Sequence, residues 1–140
     1  MKKPYTIGYT TGVFDMFHIG HLNILKKAKE RCDFLIVGIS SDELVEKYKS
    51  KRPIVPFLER VQIVESIRFV DKVVVQEHRD KYEAWEAIKF DKMFVGSDWK
   101  GSKLFTDLEL KFKEVEVEVV YFDYTIDTSS TLLREKLNSM

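Results

Sequence analysis

Apolar residues in this chain fall into two patterns that alternate along its length. Phe34-Leu35-Ile36-Val37-Gly38-Ile39 is almost unbroken, as expected of a strand covered on both faces. Thr6 to Thr10, Val73 to Val75 and Lys92 to Gly96 are shorter runs of the same kind. Val115 to Phe122 alternates valine with glutamate before Val120, which predicts a fifth strand with one partly solvated face, near a sheet edge. Between these runs the spacing becomes helical. Ile19 to Arg31 carries Ile19, Leu22, Ile24, Leu25 and Ala28. Phe57 to Val70 carries a wide apolar face of Leu58, Val61, Ile63, Val64 and Ile67. Tyr82 to Phe90, Leu104 to Lys113 and Ser129 to Leu137 read as further helices. Ser40-Ser41-Asp42-Glu43 is a helix entry, with acids favoured by the dipole. Lys47 to Pro56, broken by Pro53 and Pro56, reads as loop.

Strand and helix alternate without a linker, repeat or low-complexity tract. That predicts one domain over residues 1–140, an α/β fold with a Rossmann-like doubly wound sheet. The sheet is expected to be mainly parallel, with about five strands and helices on both faces. Ligands of such sheets bind beyond the carboxyl ends of the strands. The loops expected there are Gly12 to His21, Gly96 to Gly101 and Tyr124 to Thr131.

Composition narrows the function. The 140 residues carry 23 basic and 23 acidic side chains, and a net charge of zero argues against a general nucleic-acid binder. Nothing near the N-terminus resembles a signal or membrane segment, so no membrane insertion is expected. Cys32 stands alone, which excludes an intrachain disulfide and points to a cytoplasmic protein. Its apolar neighbours suggest packing rather than reactivity.

The chemistry concentrates in His18-Ile19-Gly20-His21, where the first strand hands over to the first helix. Spacing of i to i+3 puts both imidazoles on one face near the helix start. Backbone amides and the dipole there favour an anion, to which the rings can donate hydrogen bonds. Two histidines can also share a zinc ion, but no third Cys, His or carboxylate is evident nearby. Spacing alone leaves open two ordinary helix-start histidines. Lys47, Lys49, Lys51 and Arg52 form a basic stretch that is either a solvated run or a phosphate contact. Asp98 and Trp99 follow the fourth strand, where they could hold a ribose and frame a base; Trp99 could equally pack. Ser129-Ser130-Thr131 suits a helix cap, a phosphate site, or both.

Gly12-Val13-Phe14-Asp15 followed by His18-Ile19-Gly20-His21 resembles the signature of the nucleotidyltransferase superfamily, and within it the cytidylyltransferases. The resemblance spans nearly the whole chain. It includes Ser40-Ser41-Asp42-Glu43, Glu59-Arg60, Glu65 to Asp71, and the loop Gly96-Ser97-Asp98-Trp99-Lys100-Gly101. It implies transfer of CMP from CTP to a small phosphorylated alcohol, either a polyol phosphate such as glycerol 3-phosphate or an amino-alcohol phosphate, with release of pyrophosphate. Mg²⁺ would travel with the triphosphate, held mostly by phosphate oxygens and water, so no protein metal motif is expected. Adenylyl transfer from ATP to a sugar phosphate and a non-catalytic nucleotide-binding module are the alternatives. The family is commonly homodimeric.

The resemblance assigns catalysis to His18, His21 and Lys51. It assigns the nucleotide to Gly12, Val13, Phe14, Asp15, Gly20, Asp98, Trp99, Thr125, Ser129, Ser130 and Thr131. Lys49 and Arg60 fall to the acceptor, with Arg60 reaching either its phosphate or the active-site loop. Asp15 also reads as a local hydrogen-bonding residue of the turn. Arg68 reads as a partner for a carboxylate such as Asp71. The family's Arg-Thr-Glu-Gly-Ile-Ser-Thr-Thr segment is here Tyr124-Thr125-Ile126-Asp127-Thr128-Ser129-Ser130-Thr131. Tyrosine cannot replace a bidentate arginine, so Lys100, Lys103 or Arg134 is expected to supply the cation, or triphosphate binding is weakened.

Overall fold

The computed structural model describes residues 5–123 and 129–140. The element order is β1 (Ile7–Gly12), α1 (Ile19–Lys29), β2 (Phe34–Ser40), α2 (Asp42–Lys49), α3 (Phe57–Glu65), β3 (Lys72–Gln76), α4 (Lys81–Ile88), β4 (Lys92–Gly96), α5 (Lys103–Glu114), β5 (Glu118–Phe122) and α6 (Ser130–Asn138), with a short 3₁₀ turn at Ser97–Trp99. The five strands form one parallel sheet in the order β3-β2-β1-β4-β5. The chain winds outward from β1 in one direction and restarts at β4 in the other, so the switch point lies between β1 and β4. A crevice opens at the carboxyl end of such a point.

Side-chain alternation along β2 explains the layers. Leu35, Val37 and Ile39 join Leu25 and Ala28 of α1 and Val64 of α3 on one face. Ile36 points to the other, where Tyr9, Phe90, Met93, Phe105, Leu108 and Phe112 pack with α4 and α5. Cys32 packs close to β1: a Cβ at Gly8 would stand 2.7 Å from its Sγ and 2.6 Å from Phe94.

Most boundaries shift from the sequence pattern by no more than two residues, and three differ further. The stretch from Lys47 begins as helix, because α2 runs to Lys49 and ends on Ser50 in a left-handed conformation, φ 56°. The apolar helix from Phe57 stops at Glu65 rather than Val70. The Ile67 and Val70 amides bond three residues back, so tighter turns keep both side chains against the core. The fifth strand starts at Glu118, three residues after Val115. Glu116 is left-handed at φ 61°, and the Val117 amide bonds Phe112, folding Val117 into the end of α5. The expected edge position of β5 holds.

Candidate active site

The loop from β1 to α1 has a forced shape. Phe14 and Met16 both sit at positive φ, 55° and 50°, which non-glycine residues seldom adopt. A Cβ at Gly12 would stand 2.9 Å from the Phe14 ring, so the strand end must be glycine for that ring to fold back. Asp15, 4% exposed, holds the loop in place. Its carboxylate accepts the amides of Ile54 and Val55, each at 2.8 Å, and pairs with Arg134 Nη2 of α6 at 2.9 Å. Its carbonyl accepts the Ser130 hydroxyl at 2.7 Å. One residue thus ties the first loop to the segment before α3 and to α6.

His18 caps α1. Its Nδ1 accepts the Gly20 amide at 3.0 Å, and His21 Nδ1 accepts the His18 amide at 3.2 Å. Both Nδ1 atoms are therefore acceptors, which places the proton of each neutral ring on Nε2. The rings stack with centroids 3.8 Å apart, and Phe14 and Phe17 stand 5.3 Å from His21. Burial, then the neighbouring His18, pushes His21 down to about 4, against a smaller upward pull from Asp15. Burial also lowers His18. With both values lowered, the pair at neutral pH is two uncharged rings, each with Nε2–H to donate.

A cleft of about 1160 Å³ opens over the carboxyl ends of the strands. Of the expected site residues, Gly12, Val13, Phe14, Asp15, His21, Lys49, Lys51, Trp99, Ser130 and Thr131 line it. His18 contributes through its stack on His21. Gly20 is buried in the first turn of α1, and Ser129 caps α6 by accepting the Leu132 amide at 3.1 Å. Asp98 sits in the 3₁₀ turn beside Trp99, whose ring lies 5.5 Å from Phe105. Thr125, with the substituted Tyr124 and Asp127, lies outside the described residues. Of the three candidate replacement cations, Arg134 lines the cleft while paired with Asp15; Lys103 pairs with Asp107, and Lys100 lies over Tyr121.

Of the two roles expected of Arg60 the structure bears out the active-site loop and not the acceptor phosphate, and the expectation for Arg68 is corrected. Arg60 is fully buried and outside the cleft lining, a place from which it cannot reach an acceptor phosphate. Its guanidinium donates to the carbonyls of Val55 (2.9 Å), Val13 (2.7 Å) and Ser40 (2.9 Å) and pairs with Asp42 at 2.6 Å. It braces the active-site loop from beneath. Arg68 is not the partner of Asp71; Lys29 is, at 2.6 Å, while Arg68 lies over the Phe69 ring. Hydrogen bonds from Lys29 and Leu35 outweigh burial and lower Asp71.

Sequence reasoning missed Tyr48, Gln76, Arg79 and Lys81, all of which line the cleft. The one local cue was for Arg79 and Lys81: Glu77-His78-Arg79-Asp80-Lys81 is a charged stretch at the carboxyl end of a predicted strand, where a solvated turn reads the same way. Lys81 Nζ donates to Gln76 Oε1 at 2.5 Å. Burial, followed by the charge of Arg79, lowers Lys81 to about 8. Burial, Arg134 and Arg79 lower Lys49. Among the described residues no group of three or more His, Cys, Asp or Glu is placed to hold a metal, and Asp15 is committed to Arg134 and two amides. A Mg²⁺ ion here would have to be held mostly by phosphate oxygens.

Known proteins resemble this chain in sequence and fold. A family model described as cytidylyltransferase-like matches residues 9–136. The chain is 33% identical over 129 residues to a glycerol-3-phosphate cytidylyltransferase of Staphylococcus aureus, covering 91% of this chain and 92% of that one. It is 35% identical to an FAD synthase of Thermococcus sibiricus, covering 88% and 84%. It is 36% identical to the bifunctional protein HldE of a Nitratiruptor species over 99% of its own length, but spans only 29% of that larger protein. A lipopolysaccharide core biosynthesis protein from Thermoplasma volcanium superposes with a TM-score of 0.71 at 25% identity, covering 86% of this chain and 97% of the other. The chain belongs to the cytidylyltransferase-like family, and is a nucleotidyltransferase.

Proposed function

We propose that this protein transfers CMP from CTP to a small phosphorylated alcohol, a polyol phosphate such as glycerol 3-phosphate, and releases pyrophosphate. One observation carries the reading: two stacked, neutral imidazoles at the start of α1, with Nδ1 of each occupied and Nε2–H of each left to donate. An acceptor phosphate is already an anion and needs no general base. What the reaction needs is alignment, and donors aimed at the oxygens of the α-phosphorus as charge builds there. His18 and His21 supply those donors.

The other roles follow from position. Gly12, Val13, Phe14, Asp15 and Gly20 shape the loop on which the phosphates rest. Lys51 neutralises charge on the reacting phosphoryl group, and Lys49 meets the acceptor. Trp99 and Asp98 frame base and ribose. Ser129, Ser130 and Thr131 receive the triphosphate at the N-terminus of α6, where amides and dipole favour an anion; Thr125 is assigned to the nucleotide by the sequence resemblance alone. Arg134, one turn into α6 and facing the cleft, takes the part left vacant by Tyr124. Mg²⁺ accompanies the nucleotide and supplies charge neutralisation.

Residues 1–140 act as one nucleotidyltransferase domain, supported by the continuous sheet. A homodimer is supported by Leu58 and Ile63, exposed on α3 at 71% and 41%. A cytoplasmic site of action agrees with the single free cysteine. No helix among the described residues is long and apolar enough to cross a membrane. The similarity to FAD synthase supports a second reading, adenylyl transfer from ATP. Pyrophosphate release with glycerol 3-phosphate and either CTP or ATP separates them. CTP is expected to support turnover and ATP to fail; the reverse result refutes the assignment of cytidylyl transfer.

A further inference from the structure

The sheet order divides the cleft. Trp99 lies at the β4 end, while Ser40 ends β2 and Gln76 ends β3 on the other side of the histidine loop. The β2–β3 half is lined by Ser40, Tyr48, Lys49, Gln76, Arg79 and Lys81. Its cations are positioned rather than loose. The Arg79 guanidinium lies 4.3 Å over the Tyr48 ring. Lys81 bonds Gln76, whose amide nitrogen donates to the Ser40 hydroxyl at 3.0 Å.

Among the described residues none of these cations is in a close ion pair, although Asp80 acts on Lys81 and Asp15 on Lys49 from farther away. The ion pairs among the described residues use Lys29, Arg52, Arg60, His78, Lys92, Lys103 and Arg134 instead. Asp80 is next to Lys81 in sequence, but its Oδ1 accepts the amides of Tyr82 and Glu83 as the cap of α4. Gathering like charges in one half-enclosed place is unfavourable, and Arg79 lowers both Lys49 and Lys81. A bound anion would offset what Asp15 and Asp80 leave of that repulsion.

One phosphate does not use all of it. On the proposed roles the reacting phosphate takes Lys49 and Lys51, and Lys49 stands within electrostatic reach of both Asp15 and Arg79. Arg79 and Lys81 follow β3, which stands two strands from β1, about 10 Å away. We infer that the acceptor carries a second anionic group, a carboxylate or another phosphate, bound by Arg79 and Lys81 beyond the phosphate that reacts. A polyol phosphate ending in a hydroxyl leaves this pair unmatched. An acceptor ending in an ammonium is repelled. The inference rests on the assignment of the cleft to nucleotidyl transfer and ranks phosphorylated acids and bisphosphates above glycerol 3-phosphate as acceptors.

The test uses matched acceptors with CTP and Mg²⁺, read by pyrophosphate release, and parallel thermal-shift titrations of the same acceptors. Glycerol 3-phosphate and 3-phosphoglycerate differ in a terminal CH₂OH against a carboxylate; glycerol 1,3-bisphosphate offers the phosphate alternative, and phosphocholine the opposite charge. The acids or bisphosphate should exceed glycerol 3-phosphate by about tenfold or more in kcat/KM, or in affinity where turnover is absent. Phosphocholine should be the poorest. Arg79→Gln should erase the preference ratio. If glycerol 3-phosphate turns over as well as or better than both, the second site is refuted while nucleotidyl transfer stands. If the acids bind tightly through Arg79 but nothing releases pyrophosphate, the site stands and the proposed reaction fails. If no acceptor shows an Arg79-dependent gain by either readout, the inference is overturned.

Discussion

Arg60→Met separates a brace from a ligand. The guanidinium is fully buried, so the substitution leaves the carbonyls of Val13, Ser40 and Val55 without these donors and Asp42 without its 2.6 Å partner. Methionine fills the volume but makes none of those bonds. Breaking one side of a buried ion pair costs about 3–5 kcal/mol, and each carbonyl left unmatched adds to this. Asp42 is 20% exposed, so water recovers part of its share, and about 3–4 kcal/mol is a fair expectation. For a chain of this size that lowers Tm by roughly 10–15 °C. Arg60→Lys should fare little better, because one ammonium cannot reach four acceptors in a guanidinium's fixed plane. The assay is thermal unfolding with steady-state kinetics well below the transition. Folded Arg60→Met should lose kcat through a misplaced loop while its acceptor KM changes little. An unchanged Tm with a large rise in acceptor KM would show that Arg60 binds substrate after all.

Two further outcomes concern protonation. His21 is held near 4 by burial and His18, against an ordinary 6.5, so between those values the unfolded chain binds more protons. Its contribution to stability is present above about pH 6.5 and is lost as pH falls toward 4; Tm should drop across that window, and less steeply in a His21→Asn variant. Lys81, lowered to about 8 from 10.5, has the same sign at higher pH: the unfolded chain holds the extra proton between those values. Raising pH from 7 to 9.5 should therefore increase the Tm of the wild type relative to Lys81→Met, and a constant difference would contradict the burial of that ammonium.

Much of this was legible because apolar period and site position are local properties. The run from Phe34 to Ile39 could only be a strand sheathed on both sides, and Ile36 duly faces the opposite layer from Leu35 and Val37. The histidine loop announced itself by residue type and place. Legibility failed where partners are distant in sequence. Ile67 and Val70 keep a helix-compatible spacing through turns that are no longer α-helix, since a tighter turn also returns a side chain to the same face. Arg60 on an apolar helix resembled a reaching cation; nothing local reveals that Val13, Ser40, Asp42 and Val55 surround it. Arg79 and Lys81 sat in a charged stretch that a sequence cannot distinguish from a solvated turn.

The most direct test of the imidazole pair is single-turnover pyrophosphate release by His21→Asn with saturating CTP and acceptor. Asparagine's Oδ1 can take the place of Nδ1 and still accept the His18 amide, so the cap survives while the Nε2–H donor is lost. The rate should fall by about 10²–10³ with Tm nearly preserved. A folded variant within about threefold of the wild-type rate would mean that the His21 donor plays no part in the transition state.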